Sequence, residues 1–376
     1  MQARFINSIA DINEKEWNAI AGEDYPFLRH EFLYALEASG SVAAARGWQP
    51  QHLLVEQGGE LIAVLPLYIK SHSYGEYVFD HSWAQAYQRH GLLYYPKLLG
   101  AIPFTPAGGT RLAHRCHDIA ALAKTVSTAL QQHCEKLHAS SWHCLFPLVE
   151  ELPFWQAAGG DVRLGCQYHW HNHQYTSFDD FLATCTSRKR KEMKRERAKV
   201  LESGIRLQRL TGDQITPEHW QNFYVFYQLT NAQYNGHTGY LTKDFFDRIY
   251  ATMRGKLLLV LVYRDEKPIA GSLSFFSSDT LYGRYWGTTE EVDFLHFEAC
   301  YYQGLEFCIE RGLQCFDPGA QGEHKIPRGF RPTLTYSCHW IAHPQFREAI
   351  QHFLQEESEA VRAYQQAASA RLPFRV

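Results

Sequence analysis

Residues 257–276 read LLLVLVYRDEKPIAGSLSFF. Two β-rich runs flank a short polar turn, Asp265 to Pro268, and that pattern predicts a β-hairpin. The first half of the chain spells the same device, with HLLVE at 52–56, Gly58-Gly59 as the turn and LIAVLPLYIK at 61–70. The two align when Ile62-Ala63 is set against Ile269-Ala270. A hairpin that occurs twice raises the question of whether its surroundings do too.

They do. The spacing predicts a helix over 117–137, with Ile119, Leu122, Val126 and Leu130 on one apolar face. A second helix is predicted over 297–312, with Cys300, Leu305, Phe307 and Cys308 making up much of its buried face and Gly312 as its C-cap. A short strand follows each helix, Cys144 to Pro147 in the first half and Cys315 to Pro318 in the second, both spelled C-x-x-P. Trp170 then follows Pro147 by 23 residues and Trp340 follows Pro318 by 22, and a histidine, His169 or His339, precedes each tryptophan. Ile62 to Cys144 spans 82 residues against 46 from Ile269 to Cys315, so the first half carries an insertion, placed around 74–110. The reading is one duplicated unit of class α/β (α+β), with mixed sheets flanked by helices. Two tandem domains are expected, 1–175 and 176–376, the second beginning with a basic helix.

Composition fits a folded globule: 376 residues, 45% hydrophobic, 20% charged and 14% aromatic. The N-terminal MQARFINSIADINEKEW has no apolar run behind a basic start, so no secretory leader is expected. No stretch approaches the roughly 20 apolar residues of a membrane span. Nine cysteines, an odd number without a C-x-x-C pair, suit reduced thiols in a cytoplasm rather than a disulfide frame or a zinc ribbon. Net charge is −3, yet RKRKEMKRERAK at 188–199 holds eight basic residues against two acidic ones. On a helix Arg188, Lys191, Arg195 and Lys199 share one face. Such a stripe suits phosphates, of tRNA or of another anionic substrate, or else it is a solvated face relieved by Glu192 and Glu196.

The order of elements resembles the GNAT acyltransferase fold, and the chain as a whole resembles the FemAB-like family of doubled GNAT domains, described as peptidoglycan biosynthesis or recognition proteins. The resemblance rests on WAQAYQRHGLLYYPKLLGAIPFTP (83–106), SFDDFLATCTSRKRKEMKRER (177–197), LYGRYWG (281–287), and above all LHFEACYYQGLEFCIERGL with GAQGEHKIPRGF (295–330). It implies an N-acyltransferase or aminoacyltransferase acting on an amine, with acyl-CoA or aminoacyl-tRNA as donor. FemA-type enzymes of this doubled fold use aminoacyl-tRNA. The alternative is a non-catalytic module that binds a peptidoglycan precursor or another anionic ligand.

In a GNAT domain LYGRYWG would open toward the pyrophosphate of acetyl-coenzyme A. Here the segment runs Arg284, Tyr285, Trp286, Gly287, Thr288, Thr289, with Glu290, Glu291 and Asp293 behind it. Three carboxylates repel a diphosphate, so coenzyme A is not expected to bind at this loop. Gly108-Gly109 with Arg111 is the counterpart in the first half; glycines beside a cation suit a phosphate better, but the motif spacing is missing, and the bland reading is a turn. His169, His171 and His173 alternate on a predicted strand, but no carboxylate or thiol completes a metal set, and none is expected.

The loop GAQGEHKIPRGF (319–330) follows the strand that ends at Asp317. Gly and Pro rule out a regular helix or strand there. In the GNAT arrangement it borders the split in the sheet where acyl group and amine meet. Acyl transfer needs a base for the ammonium proton and donors for the oxyanion. Glu323, His324 and Lys325 are the catalytic candidates. Arg328, Asp317, Arg284, Tyr285, Trp286 and Tyr234 are expected to line the cleft, with Arg188, Lys191 and Arg195 contacting the anionic substrate.

Overall fold

The structure is a computed structural model that describes residues 1–235, 239–320 and 322–375, with the side chains of residues 234 and 235 also outside the description. The chain forms fifteen strands among the described residues. In order they are β1 (Gln2–Ile6), β2 (Trp48–Pro50), β3 (His52–Gln57), β4 (Glu60–Leu65), β5 (Leu67–Lys70), β6 (Lys97–Gly100), β7 (Ala113–His114) and β8 (Ser141–Leu145). Then come β9 (Asp161–His171), β10 (Ile205–Thr211), β11 (Leu257–Arg264), β12 (Lys267–Phe276), β13 (Thr280–Thr288), β14 (Cys315–Asp317) and β15 (Arg331–Ile341).

Two compact units emerge, each discontinuous in sequence. The first comprises Met1–Cys166 with Leu334–Tyr364, and the second Gln167–Thr333 with Gln365–Val376. The sequence reading drew one contiguous boundary near residue 176 instead. The difference arises at β9 and β15, which are the two closing strands carrying the His-Trp spellings.

Within the second unit the strand order is β10-β11-β12-β13-β14-β9. The hairpin β11–β12 turns at Asp265 and Glu266, both with left-handed backbone (φ 47° and 60°), and pairs Val262 with Ala270. β13 runs parallel to β14, and between them in sequence lies the helix 295–311, whose middle, Glu298–Tyr302, is a π-turn. Leu305, Phe307 and Cys308 are buried as expected and Cys300 is partly so, and Gly312 closes the helix in the left-handed region. The core gathers Trp170, Phe181, Val260, Leu281, Tyr302, Phe316 and Phe330. Each large apolar side chain buried there contributes about 1.5–3 kcal/mol relative to exposure.

The first unit repeats this order. β3–β4 is the matching hairpin, with Ala63 opposite Val55. The counterpart of the continuous ten-residue β12 is broken at Pro66 into β4 and β5, since proline has no N–H for the ladder. β6 runs parallel to β8, as β13 does to β14. The helix Ile119–Leu137 buries Leu122, Val126 and Leu130, while Ile119 is exposed. The insertion is mainly 71–96, between β5 and β6, where the second unit needs only 277–279. Both units therefore show the GNAT-like order of elements. Among the described residues no helix is long and apolar enough to cross a membrane, and all nine cysteines are free thiols.

The candidate site at the end of β14

β14 ends at Asp317, and the chain turns at once. The buried Asp317 carboxylate accepts the N–H of Gly319 (2.9 Å), and His169 Nε2 of β9 lies 3.7 Å from it. The next residues are not irregular as expected. Glu323–Arg328 winds as a 3-10 helix between Gly322 (φ 116°) and Gly329 (φ 90°). A Cβ on Gly322 would sit 2.3 Å from the His324 ring, so only glycine lets that ring fold back over the turn.

Lys325 points inward and is 2% exposed. Its Nζ donates to the Gly319 carbonyl at 2.6 Å, the one hydrogen bond this ammonium makes among the described residues. Burial lowers its pKa to about 8, against the opposing pull of Asp317. His324 is exposed, and its Nε2 lies 2.8 Å from the Tyr301 hydroxyl. Burial, followed by the Lys325 and Arg328 cations, lowers the pKa of His324 and keeps the ring neutral at ordinary pH. His296 stands 6.1 Å from it between ring centres, and burial drives that imidazole down to about 4.

Arg328 does not face a cleft. Its Nη2 and Nε donate to the two Glu196 oxygens at 2.6 and 3.2 Å, its Nη1 donates to the His324 carbonyl at 2.6 Å, and its guanidinium lies 3.4 Å from the Phe297 ring centre. Glu196, buried, also accepts from the Tyr302 hydroxyl. The arginine thus ties the 3-10 helix to the basic helix Ser187–Glu202 by a bidentate pair. Glu323 points outward and meets Arg371 at 2.9 Å on an exposed rim.

The other expected lining residues divide by the alternation of β13. Trp286 packs 5.6 Å from His296 and so reaches the histidine pair. Tyr285 packs instead against Tyr227 and Phe246, 5.6 and 5.7 Å away. Arg284 lies over the Tyr285 ring at 5.8 Å. Tyr234 lies within the helix Pro217–Asn235 rather than in an irregular stretch, and its side chain falls outside the described residues. Arg188, Lys191 and Arg195 are exposed, and none of them forms an ion pair among the described residues. The inner face of their helix is Met193, Glu196 and Val200.

Beside Trp286 and His296 opens a cavity of about 480 Å³ walled by Glu290, Glu291 and Asp293. Its walls come from the segment 286–296, which continues from the LYGRYWG stretch that the GNAT resemblance sets toward a pyrophosphate. Gly287 serves packing there: a Cβ on it would lie 2.2 Å from the Phe226 backbone, so glycine lets the helix Pro217–Asn235 press onto β13. Sequence reasoning missed Glu196, Tyr301 and His296. Glu196 was detectable, because it sits between Met193 and Val200 on the apolar face, and a buried carboxylate needs a partner.

Among solved structures the chain resembles FemX (TM-score 0.57, 12% identity, 93% of this chain and 100% of that one). It also resembles the C-terminal domain of a protein assigned as a lysylphosphatidylglycerol synthetase from Agrobacterium fabrum (0.55, 9% identity, 94% and 98%). L-PGS from Bacillus licheniformis aligns at 0.50 with 10% identity over 86% and 96%. At these identities the likeness is one of fold. No curated protein sequence matches the chain. The family model for FemAB-like proteins, described as peptidoglycan biosynthesis/recognition, matches residues 8–376, and the chain belongs to that family.

Proposed function

We propose that the chain transfers an acyl or aminoacyl group to an amine, with a peptidoglycan precursor as the acceptor that the family description suggests. The observation that carries this reading is Lys325, a buried ammonium at the end of β14 that spends one donor on Gly319. A cation held in a low-dielectric place with donors to spare is suited to a developing oxyanion. In the proposed reaction neutral His324 takes a proton from the acceptor ammonium. The freed nitrogen attacks the acyl carbon, a C–N bond forms, and the carbonyl electron pair moves to oxygen beside Lys325. Collapse restores C=O, breaks the bond to the donor, and returns the proton from His324 to the leaving oxygen or sulfur.

Aminoacyl-tRNA is the donor favoured here over acyl-CoA. The acidic wall of Glu290, Glu291 and Asp293 repels a pyrophosphate and suits an ammonium acceptor instead. The exposed Arg188, Lys191 and Arg195 offer a stripe for a nucleic-acid backbone. The test supplies aminoacyl-tRNA or acetyl-coenzyme A with an amine acceptor and follows product by mass spectrometry. Turnover is expected with aminoacyl-tRNA, and Lys325→Met should lower it about 10²–10³-fold, the typical loss for one oxyanion donor. Replacing Arg188, Lys191 and Arg195 by Glu should weaken tRNA binding in a salt-dependent way. Binding of a precursor without consumption of either donor would favour the non-catalytic module.

A further inference from the structure

The insertion 71–96 of the first unit contains none of the residues given a role in the proposed reaction. Tyr74 is 64% exposed, Phe79 58% and Leu93 85%, and Tyr77 and Leu92 are exposed beside them in sequence. Such side chains normally leave water unless something else covers them. The same segment contains two carboxylates, Glu76 and Asp80, and both are buried. Lys97 Nζ donates to Glu76 at 2.7 Å, to Ser73 Oγ at 2.9 Å and to Asp80, while the Tyr94 hydroxyl donates to Asp80 at 2.6 Å. Ser73 Oγ also lies 2.8 Å from the Tyr95 hydroxyl. The segment is therefore pinned from beneath at 73, 76, 80, 94 and 95. Its exposed residues include five large apolar side chains, the neutral Ser71, Ser82, Gln85 and Gln88, and Arg89, His81 and His90, but no acid.

We propose that this insertion docks the protein on an anionic lipid surface. The tips of Tyr74, Phe79, Leu92 and Leu93 enter the interface, and Arg89 with the two histidines meets lipid phosphates. Charge selects this occupant: both acids of the segment, Glu76 and Asp80, are turned inward against Lys97, so among its exposed residues the only ionisable side chains besides the tyrosines are Arg89, His81 and His90, beside the apolar tips, the pairing that interfacial segments use. Tyrosines suit the headgroup layer because the ring is apolar and the hydroxyl stays wet. The exposed Ser82, Gln85 and Gln88 lie between the apolar tips in sequence, which fits separate anchors in a fluid layer better than one flat protein interface.

The test is co-sedimentation of the full chain with phosphatidylcholine vesicles, with and without phosphatidylglycerol. Binding is expected with the anionic vesicles. Replacing Tyr74, Phe79, Leu92 and Leu93 together by Ser leaves net charge unchanged and should cut the bound fraction by about tenfold or more. Arg89→Glu, a single exposed change, should weaken binding to the anionic vesicles alone. The proposal is overturned if the chain stays in solution with both vesicle types. It is equally overturned if the fourfold variant binds as the parent does, because the retained cations elsewhere then account for the binding. A dimer in light scattering that the fourfold variant splits, with vesicle binding unchanged, would make the face a contact between copies.

Discussion

A lysine drawn into a protein interior gives up part of its affinity for protons, and Lys325 has done so. Its pKa of about 8 leaves it charged at neutral pH but close to release. If the cation stabilises the oxyanion, the active form is the protonated one. The turnover number should then fall as pH rises through about 8, whereas an ordinary lysine would hold its charge to about 10.4. Lys325→Arg keeps the charge at all accessible pH, so the alkaline limb should move beyond pH 10 even where the maximal rate drops. Measuring the turnover number from pH 6 to 10 for both proteins decides it. An unmoved limb in the arginine variant would assign the titration to another group. The sequence shows the concentration of ionisable residues in 319–330, but it does not show which of them turn inward. That depends on the 3-10 winding, which sends Lys325 and Arg328 to the core and leaves Glu323 on the rim.

The pairing of elements accounts for one of the loop's charges, Arg328. The basic helix and the 3-10 helix meet through Glu196 and Arg328, both nearly inaccessible to solvent. From sequence alone Glu196 reads as a local relief for its basic neighbours, and Arg328 as a ligand for substrate. The helical period was legible; the partner lies 132 residues away, and no local pattern reaches that far. Removing one member of such a pair strands the other charge in the interior. Glu196→Gln should therefore destabilise the second unit by about 3–5 kcal/mol, read as a lower urea midpoint with Trp fluorescence. Exchanging both residues for apolar ones of similar size, Glu196→Leu with Arg328→Met, should recover much of that loss. If Glu196→Gln melts like the parent, the pair holds nothing in place, and Arg328 is available for a ligand after all.

For the whole molecule, the duplication was legible and the exchange was not. The C-x-x-P and His-Trp spellings recur in both halves, which is why the repeat can be read, and also why the partners cannot. Either closing strand offers nearly the same residues to either unit. In the structure the strand from the second half, β15, sets Cys338 against Cys144, His339 against His143 and Trp340 against Trp142 of β8. The end of β9, from the first half, sets Trp170 against Phe316 and His171 against Cys315 of β14. Each unit is therefore completed by chain from the other half. The consequence is measurable. The fragment 1–175 lacks the strand that covers β8, so Trp142 and Cys144, both fully buried in the intact chain, would lose their cover along an open edge. That fragment should be molten or aggregated, with loss of near-ultraviolet dichroism and rapid amide exchange in β8. Adding residues 334–364 as a separate peptide should restore protection to β8, because the register needs only Ser337–Ile341 and its following helix. A folded, protected 1–175 fragment without the peptide would show that the closing strand is interchangeable, with β9 folding back on its own half.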